Sequence, residues 1–220
     1  MPNTRELIDN FLNSSEVQEC TKNKLRHSIS IVQEAVKQFE VKKLAMSFNG
    51  GKDCLVMFYI ILYVIGTPVP AVYIRSERSF PQLDDFVAEC TERYGLDLSV
   101  KTSEMKSAFQ EYLDANPQKQ AIFVGIRRQD PYASNLTYIE PTDHGWPAFT
   151  RIQPILDWEY HEIWQFLIIC DIPYCSLYDL GYTSIGSMDR TIPNPALKTK
   201  TGYSRAYLLK DNKLERSGRK

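Results

Sequence analysis

The alternation of apolar and polar positions along the chain predicts its secondary structure. Apolar residues recur at helical spacing over 4–40, which predicts two helices, the second capped by Ser14 or Ser15. From residue 43 onward, short apolar runs alternate with amphipathic stretches. Strands are predicted at 43–47, 70–75, 97–101 and 120–126, and helices at 52–65, 80–95 and 103–116. This order predicts an α/β fold built on a parallel sheet with right-handed crossovers.

The pattern changes over 131–203, a stretch rich in Pro, Tyr, Trp and Gly that predicts loops. One amphipathic helix is predicted there over 158–170, with an inward face made of Ile163, Trp164, Leu167 and Ile168. We therefore expect a single domain in three parts: N-terminal helices over 1–42, an α/β core over 43–130, and a loop-rich C-terminal extension over 131–220.

The composition, 43% hydrophobic and 24% charged, is that of an ordinary soluble globular protein. A net charge of -1 gives no general attraction to nucleic acid or anionic membranes, and no apolar run approaches the ~20 residues that cross a bilayer. The 5 cysteines form no C-x-x-C pair, so neither a disulfide framework nor a zinc site is indicated. We expect a cytoplasmic monomer that binds small molecules, and neither nucleic acid nor membrane.

The most informative stretch runs from Leu44 to Cys54 and combines an apolar strand, a Gly-Gly turn and the start of a helix. Free backbone N–H groups and the positive end of the dipole make such a helix start an anion site. Ser47 and Asn49 add polar side chains and Lys52 adds a positive charge, so a phosphate chain is the expected ligand. The alternative is an ordinary Gly-Gly turn capped by Asn49.

A second stretch, 125–131, follows the fourth predicted strand and contains Arg127, Arg128 and Asp130. Ligands of open α/β sheets lie beyond the carboxyl ends of the strands. We therefore expect this loop, the glycine loop and the loop 75–79 to line one site, with the arginines suited to phosphate oxygens. The alternatives for the arginines are a solvated loop or an internal Arg–Asp pair.

The C-terminal part offers weaker candidates. Trp146 lies beside Asp143 on a predicted loop, where binding a flat ring and packing are equally good interpretations. His144 on the same loop is weak evidence for a catalytic base. From composition alone, the basic tail over 214–220 is expected to be frayed and solvated.

Several motifs nevertheless occur in one order from about residue 43 to the end: Ser-x-Asn-Gly-Gly-Lys-Asp-Cys, Gly-Ile-Arg-Arg-x-Asp-Pro-Tyr, Thr-Asp-x-Gly-Trp-Pro, Pro-Ile-Leu-Asp-Trp-x-Tyr, Gly-Tyr-Thr-Ser-Ile-Gly and Glu-Arg-Ser-Gly-Arg. Together they resemble the eukaryotic FAD synthetase (FMN adenylyltransferase) family of the PAPS-reductase-like group. The resemblance implies an adenine-nucleotide α-hydrolase-like fold and the reaction of FMN with ATP to give FAD and pyrophosphate, with Mg²⁺. The resemblance is to the single-domain form of the family, which does not have the molybdopterin-binding-like domain that precedes this one in some animal members.

The resemblance also implies roles for individual residues. The implied catalytic residues are Asn49, Lys52, Asp53, Asp130, Arg216 and Arg219. The implied ATP-binding residues are Met46, Ser47, Asn49, Gly50, Gly51, Lys52, Asp53, Ile74, Ile126 and Arg219. The implied FMN-binding residues are Arg127, Asp130, Asp143 and Trp146. Either Asp53 or Asp130 is a candidate metal ligand, and the two arginines replace the frayed-tail interpretation with a segment that closes over the phosphates.

Two alternatives are kept. A PAPS reductase needs a nucleophilic cysteine near a flexible C-terminus. The last cysteine here, Cys175, lies well inside the chain, which argues against that activity. A non-catalytic flavin or nucleotide carrier would not need Lys52, Asp53 and Asp130 together with the C-terminal arginines. The adenylyltransferase reaction needs no general base, because the FMN phosphate, with a second pKa of about 6, is already ionised at neutral pH.

Overall fold

The computed structural model describes residues 3–220. The predicted α/β fold is confirmed as a six-stranded sheet in the order β3-β2-β1-β4-β6-β5. The strands are β1 Leu44–Ser47, β2 Ala71–Ile74, β3 Leu98–Lys101, β4 Ala121–Phe123, β5 Ile139–Pro141 and β6 Thr150–Ile152. The helices are α1 Thr4–Asn13, α2 Glu19–Phe39, α3 Lys52–Ile65, α4 Pro81–Tyr94, α5 Met105–Ala115 and α6 Tyr160–Ile169.

The centre of the sheet explains where a ligand can bind. β1 pairs in parallel with β2 on one side and with β4 on the other. The chain builds outward from β1 to β2 and β3, and then returns to add β4 on the opposite side. The loops that follow β1 and β4 therefore diverge at the carboxyl edge and leave a crevice between them, which is where open α/β sheets bind ligands.

The glycine loop is held in place by the buried elements on either side of it, β1 and α3. Leu44, Ala45 and Met46 of β1 are fully buried, as expected for a central strand covered on both faces. α3 is almost wholly apolar and packs against α1, α2 and α6, so its first turn has little freedom to move. The glycine loop is thus held between a buried strand and a buried helix.

Two predictions about helices were wrong in detail. α2 begins at Glu19 after Gln18 rather than under a serine cap, because Ser14 ends α1 and its hydroxyl accepts from the Glu16 N–H. In α6, Ile168 is 47% exposed, although the other three predicted core residues are buried. The buried stripe is centred between Ile163 and Leu167 and places Ile168 at its edge.

The C-terminal extension, predicted to contain loops and one helix, also contains β5 and β6, with β6 parallel to β4 and β5 antiparallel to β6. Each has 3 residues, too few for a recognisable alternation. The rest of this segment is held by short 3-10 turns, including Ser176–Leu180 and Asn212–Leu214. No helix within residues 3–220 is long and apolar enough to cross a membrane.

We predict that Gly50→Ala destabilises the protein more than Gly66→Ala. Both glycines have a positive φ, +69° and +84°, which costs an alanine roughly 1–2 kcal/mol. At Gly50 a Cβ would also lie 2.8 Å from Val87 Cγ2, whereas at Gly66 it would meet no atom within 4 Å. Thermal unfolding followed by circular dichroism should show the larger loss for Gly50→Ala. Equal losses would mean that the loop can move away from α4.

Candidate active site

Two cavities meet at the carboxyl edge of the sheet. The polar cavity, of about 170 Å³, is lined by the glycine loop, the loop after β4 and the C-terminal segment. The apolar cavity, of about 540 Å³, lies over the ends of β2 and β4. Asn49, Cys54 and Gly125 line both cavities and mark their junction. A ligand with a charged part and a flat part could therefore occupy both at once.

The junction is narrow because the backbone is close-packed there. A Cβ on Gly125 would lie 3.1 Å from Cys54 Sγ and 3.2 Å from the Cys54 backbone nitrogen. Glycine at this position lets the loop after β4 approach the first turn of α3. The Asn49 side chain accepts from the Gly51 N–H at 2.9 Å, so the Asn49 cap of the Gly-Gly turn is present in the glycine loop.

Four buried or half-buried charged groups form what we call the charge cluster: Lys52, Asp53, Arg127 and Glu215. Lys52 Nζ lies 2.9 Å from Asp53 Oδ2 and 2.6 Å from Glu215 Oε1. Arg127 Nη2 donates to both Glu215 oxygens at 2.6 Å, and its Nε lies 2.7 Å from Asp53 Oδ1 without hydrogen-bond alignment. Both cations are thereby paired twice.

Electrostatic contacts within the cluster outweigh the cost of burial. Burial opposes the charge on Lys52, yet Asp53 and Glu215 raise the pKa of that amine above its usual value. Burial likewise opposes the Asp53 carboxylate, but Arg127 and Lys52 hold its pKa below the usual value. The lysine and the aspartate are therefore both charged in the folded protein at neutral pH.

Asp130 is held differently. Its Oδ2 accepts from the Arg127 backbone N–H at 3.0 Å, and its Oδ1 lies 3.3 Å from Arg216 Nη1. Burial, reinforced by the Asp53 and Glu215 carboxylates, raises the pKa of Asp130. This carboxylate faces the polar cavity in an environment that disfavours its charge, which is typical of a group placed for function.

The tail is not frayed. The Lys220 N–H donates to the Arg190 carbonyl, and Arg219 forms a backbone bridge to Thr191. The Arg219 guanidinium packs on Gly186 and its Nη1 lies 3.4 Å from Ser184 Oγ. Burial and the neighbouring Arg216 lower the pKa of Arg219. Across residues 3–220, no carboxylate forms an ion pair with Arg219, which leaves its charge available to an anion.

The apolar cavity suits a flat ring. Its floor consists of side chains from the strand ends and from α5: Ile74, Phe109, Val124, Ile126 and Phe149. Its mouth carries Trp146, which is 41% exposed, and Asp143, whose carboxylate lies 3.0 Å from Arg151 Nη1. A volume of about 540 Å³ with an apolar floor and a few polar groups at the rim is typical of small-molecule sites.

The structure brings most of the predicted site residues to these cavities, but not all. The polar cavity includes Asn49, Gly51, Lys52, Asp53, Asp130, Arg216 and Arg219. The apolar cavity includes Ser47, Ile74, Ile126, Asp143 and Trp146. Met46, Gly50 and Arg127 line neither, since Met46 is in the core, Gly50 faces α4 and Arg127 is inside the charge cluster. Direct ligand contact by these three stays a prediction.

Other expectations are corrected by the contacts. The loop 75–79 lines neither cavity, because Arg75 turns to Asp84 and pairs with it at 2.8 Å. Both arginines after β4 are bound internally, Arg127 in the charge cluster and Arg128 to Asp157. Their side chains form the ion pairs of the internal-pair alternative, phosphate contact by either arginine stays a prediction, and Asp130 faces the cavity.

Several lining residues were missed. The Tyr178 hydroxyl accepts from the Lys52 N–H at 3.0 Å, and no local pattern links positions 126 residues apart. Phe109 and Phe149 pack together and line the apolar cavity, and their sequence context does not distinguish them from core residues. Glu215 had a signal that was overlooked, namely its position directly before Arg216 in the closing motif.

No group of three or more His, Cys, Asp or Glu side chains between residues 3 and 220 is arranged to hold a metal ion. Both Asp53 and Asp130 line the polar cavity, but Asp53 is already paired with two cations, whereas the ion pair of Asp130 with Arg216 is longer, at 3.3 Å. Mg²⁺ commonly takes one or two carboxylates together with substrate phosphates. These residues therefore fit a Mg²⁺ shared with a bound phosphate chain, with Asp130 the better-placed ligand.

Comparison with known proteins agrees with this geometry. The phosphoadenosine phosphosulfate reductase domain family matches residues 43–117 and 100–193. A probable FAD synthase of Schizosaccharomyces pombe is 46% identical over 209 residues, covering 90% of this chain and 79% of that protein. The chain belongs to the FAD synthase family.

Other members of the FAD synthase family extend this finding. A probable FAD synthase of Caenorhabditis elegans is 33% identical, and the match covers 87% of this chain but 38% of that protein. The crystal structure of Candida glabrata FMN adenylyltransferase in complex with FAD and inorganic pyrophosphate superposes with a TM-score of 0.92 at 29% identity. That superposition covers 98% of this chain and 96% of the C. glabrata chain.

We predict that Cys54 resists alkylation although it lines both cavities. Burial raises the pKa of the Cys54 thiol to about 12, and only the thiolate is nucleophilic. Cys20 is exposed, while the other cysteines are buried. Iodoacetamide at mildly alkaline pH should modify Cys20 in the folded protein, and Cys20→Ser should remove that reaction. Peptide mass spectrometry showing an adduct on Cys54 would contradict this prediction.

Proposed function

We propose that this chain is an FMN adenylyltransferase that transfers the AMP moiety of ATP to the phosphate of FMN, giving FAD and pyrophosphate. The observation that carries the proposal is the junction of a polar and an apolar cavity at Asn49, Cys54 and Gly125. The FAD synthase relatives and the C. glabrata complex with FAD and pyrophosphate support the same reaction.

In the reaction, an oxygen of the FMN phosphate attacks the α-phosphorus of ATP. A new P–O bond forms as the bond between the α-phosphorus and the bridging oxygen breaks, and pyrophosphate leaves with those electrons. Since the nucleophile is already anionic, the protein needs to position two anions and stabilise their charge rather than remove a proton. The solvated loop position of His144, which lines neither cavity, fits this absence of a base.

We assign the β and γ phosphates to the polar cavity. Arg219 supplies an unpaired cation there, and Arg216 a second that is held loosely by Asp130. Lys52 lines the same cavity, although Asp53 and Glu215 already pair with its amine. Mg²⁺, when bound, would neutralise phosphate charge, with Asp130 or Asp53 as its protein ligand.

We assign the two rings to the apolar cavity. Ile74 and Ile126 at the strand ends suit the adenine, and Asp143 and Trp146 at the mouth suit the isoalloxazine of FMN. Burial of one aromatic ring against another is favourable and directional. The protein would then be a flavoprotein in the sense of holding FMN and FAD without a covalent bond.

We also propose a cytoplasmic monomer. Both cavities are built from one chain, and the free cysteines fit a reducing compartment. A PAPS reductase activity is disfavoured, because Cys175 is buried in the core, where its thiol is not accessible as a nucleophile. The following experiment distinguishes a non-catalytic carrier from an enzyme.

The deciding experiment mixes the purified chain with FMN, ATP and Mg²⁺ and separates the flavins by chromatography. Growth of FAD with stoichiometric pyrophosphate release, abolished by removing Mg²⁺, is expected. Binding of FMN and ATP in calorimetry without FAD formation would identify a carrier and overturn the proposal.

We predict that Asp130→Asn lowers turnover by a factor of about 100 or more, since the variant loses the carboxylate that would hold Mg²⁺ and that pairs with Arg216 in the polar cavity. The raised pKa of Asp130 means that its ionised form is disfavoured by folding, so the variant should melt no lower than the original chain at neutral pH. The difference should shrink as the pH falls through the raised pKa of Asp130 and should vanish below the ordinary aspartate pKa.

The exposed Asp85→Asn serves as the matched control and should retain turnover. Steady-state FAD synthesis and thermal unfolding at several pH values measure both effects. Near-normal turnover of Asp130→Asn would remove this carboxylate from the mechanism.

We predict that Arg219→Ala lowers turnover by roughly 10²–10³-fold, the usual cost of losing one group that stabilises transition-state charge. Lys220→Ala, at an exposed neighbouring position, is the control and should change the rate little. Initial rates of FAD formation test this pair, and equal rates for both variants would show that the tail has no catalytic contact.

A further inference from the structure

Glu215 belongs to the charge cluster but has no assigned task in the reaction. It lies in the C-terminal segment, and its side chain is only 8% exposed. One oxygen is shared by Lys52 Nζ and Arg127 Nη2, each at 2.6 Å, and the second oxygen also accepts from Arg127 at 2.6 Å. Glu215 therefore connects the tail to the glycine loop and to the loop after β4.

The charge balance of the cluster depends on this carboxylate. Two cations, Lys52 and Arg127, face two carboxylates, Asp53 and Glu215. Without the charge of Glu215, two buried cations would share Asp53 alone. Loss of one partner from a buried ion pair leaves an uncompensated charge, so the remaining groups must move toward water or toward another anion.

The backbone around Glu215 is also held firmly. Thr183 Oγ1 donates to the Glu215 carbonyl at 2.6 Å, and Asn194 Nδ2 donates to Thr183 Oγ1 and to the Leu214 carbonyl. Thr183 and Asn194 are buried, at 1% and 0% exposure. The segment is thus fixed at Glu215 by both its side chain and its main chain.

The fixed position of Glu215 determines where the two arginines of the polar cavity lie, because both follow it closely in the chain. The Ser217 N–H donates to the Leu214 carbonyl, and the Arg219 N–H donates to the Arg216 carbonyl. These consecutive turns bring Arg216 and Arg219 to the same cavity. A shift at Glu215 would therefore displace both side chains, and a misplacement of about 1 Å can cost a factor of about 100 in rate.

We propose that Glu215 is a positioning residue: its carboxylate, through Lys52 and Arg127, docks the C-terminal segment on the glycine loop and places Arg216 and Arg219 at the phosphates. It acts through these neighbours and transfers no proton. The proposal rests on the proposed function for its effect on turnover, but its effect on phosphate binding is independent of that function.

Glu215→Gln tests the proposal, because it keeps the shape and removes the charge. Pyrophosphate alone, titrated by calorimetry, should bind at least about 10-fold more weakly, and kcat for FAD synthesis should fall by about 100-fold. FMN affinity, measured by flavin fluorescence, should stay close to that of the original chain, because the ring cavity lies beyond Gly125. Trypsin should cut the C-terminal segment faster.

Two further variants separate positioning from folding. Glu215→Asp keeps the charge and should recover most of the thermal stability, but its shorter side chain should leave kcat reduced. Glu92→Gln, an exposed position on α4, is the matched control and should behave as the original chain in every assay. A uniform loss of FMN and pyrophosphate binding in Glu215→Gln, restored together by Glu215→Asp, would show a purely structural role and overturn the proposal.

Normal pyrophosphate affinity and normal kcat in a folded Glu215→Gln would also overturn it. If the original chain binds pyrophosphate but makes no FAD, the proposed function fails. The pyrophosphate and trypsin comparisons then still decide the role of Glu215.

Discussion

The site depends on a buried electrostatic constraint. Lys52 and Asp53 come from the start of α3, Arg127 from the loop after β4, and Glu215 from the C-terminal segment. Because an unpaired buried charge is costly, these three pieces of chain are stable only when they meet. The polar cavity lies between these three segments. Its shape therefore depends on the pairing of all four charged side chains rather than on the conformation of any one loop.

This arrangement divides the cations into two kinds. Lys52 and Arg127 are doubly paired and shape the site, whereas Arg219 has a lowered pKa and packs against Gly186. Arg219 is therefore the group that gains most from an incoming phosphate. Asp130 is the opposite case, a carboxylate whose charge the fold disfavours. Folding stability is given up at these two positions, which is common where a group is placed for chemistry.

The sheet places these charges beside an apolar surface. The loops that follow β1 and β4 diverge at the carboxyl edge, and the same crevice leads to the polar cavity on one side and to the apolar cavity on the other. Gly125 permits this by letting two backbones approach at the junction. A dinucleotide has the same division into charged centre and flat ends, so the architecture and the chemistry of FAD synthesis match.

Local pattern was sufficient for the α/β core, because β1 to β4 and α3 to α5 are continuous apolar or amphipathic segments whose period is visible in the sequence. The motifs also identified the cavity-facing side chains of Asn49, Asp130, Trp146 and Arg219. Pattern failed for β5 and β6, which are too short to show a period, and for the pairing of Glu215 with Lys52, which spans 163 residues.

Residue types and local propensity thus determined which elements form and which chemistry is present. Only the tertiary structure decided which charges are paired and which remain free for a ligand, because ion pairing depends on distances that sequence separation does not encode.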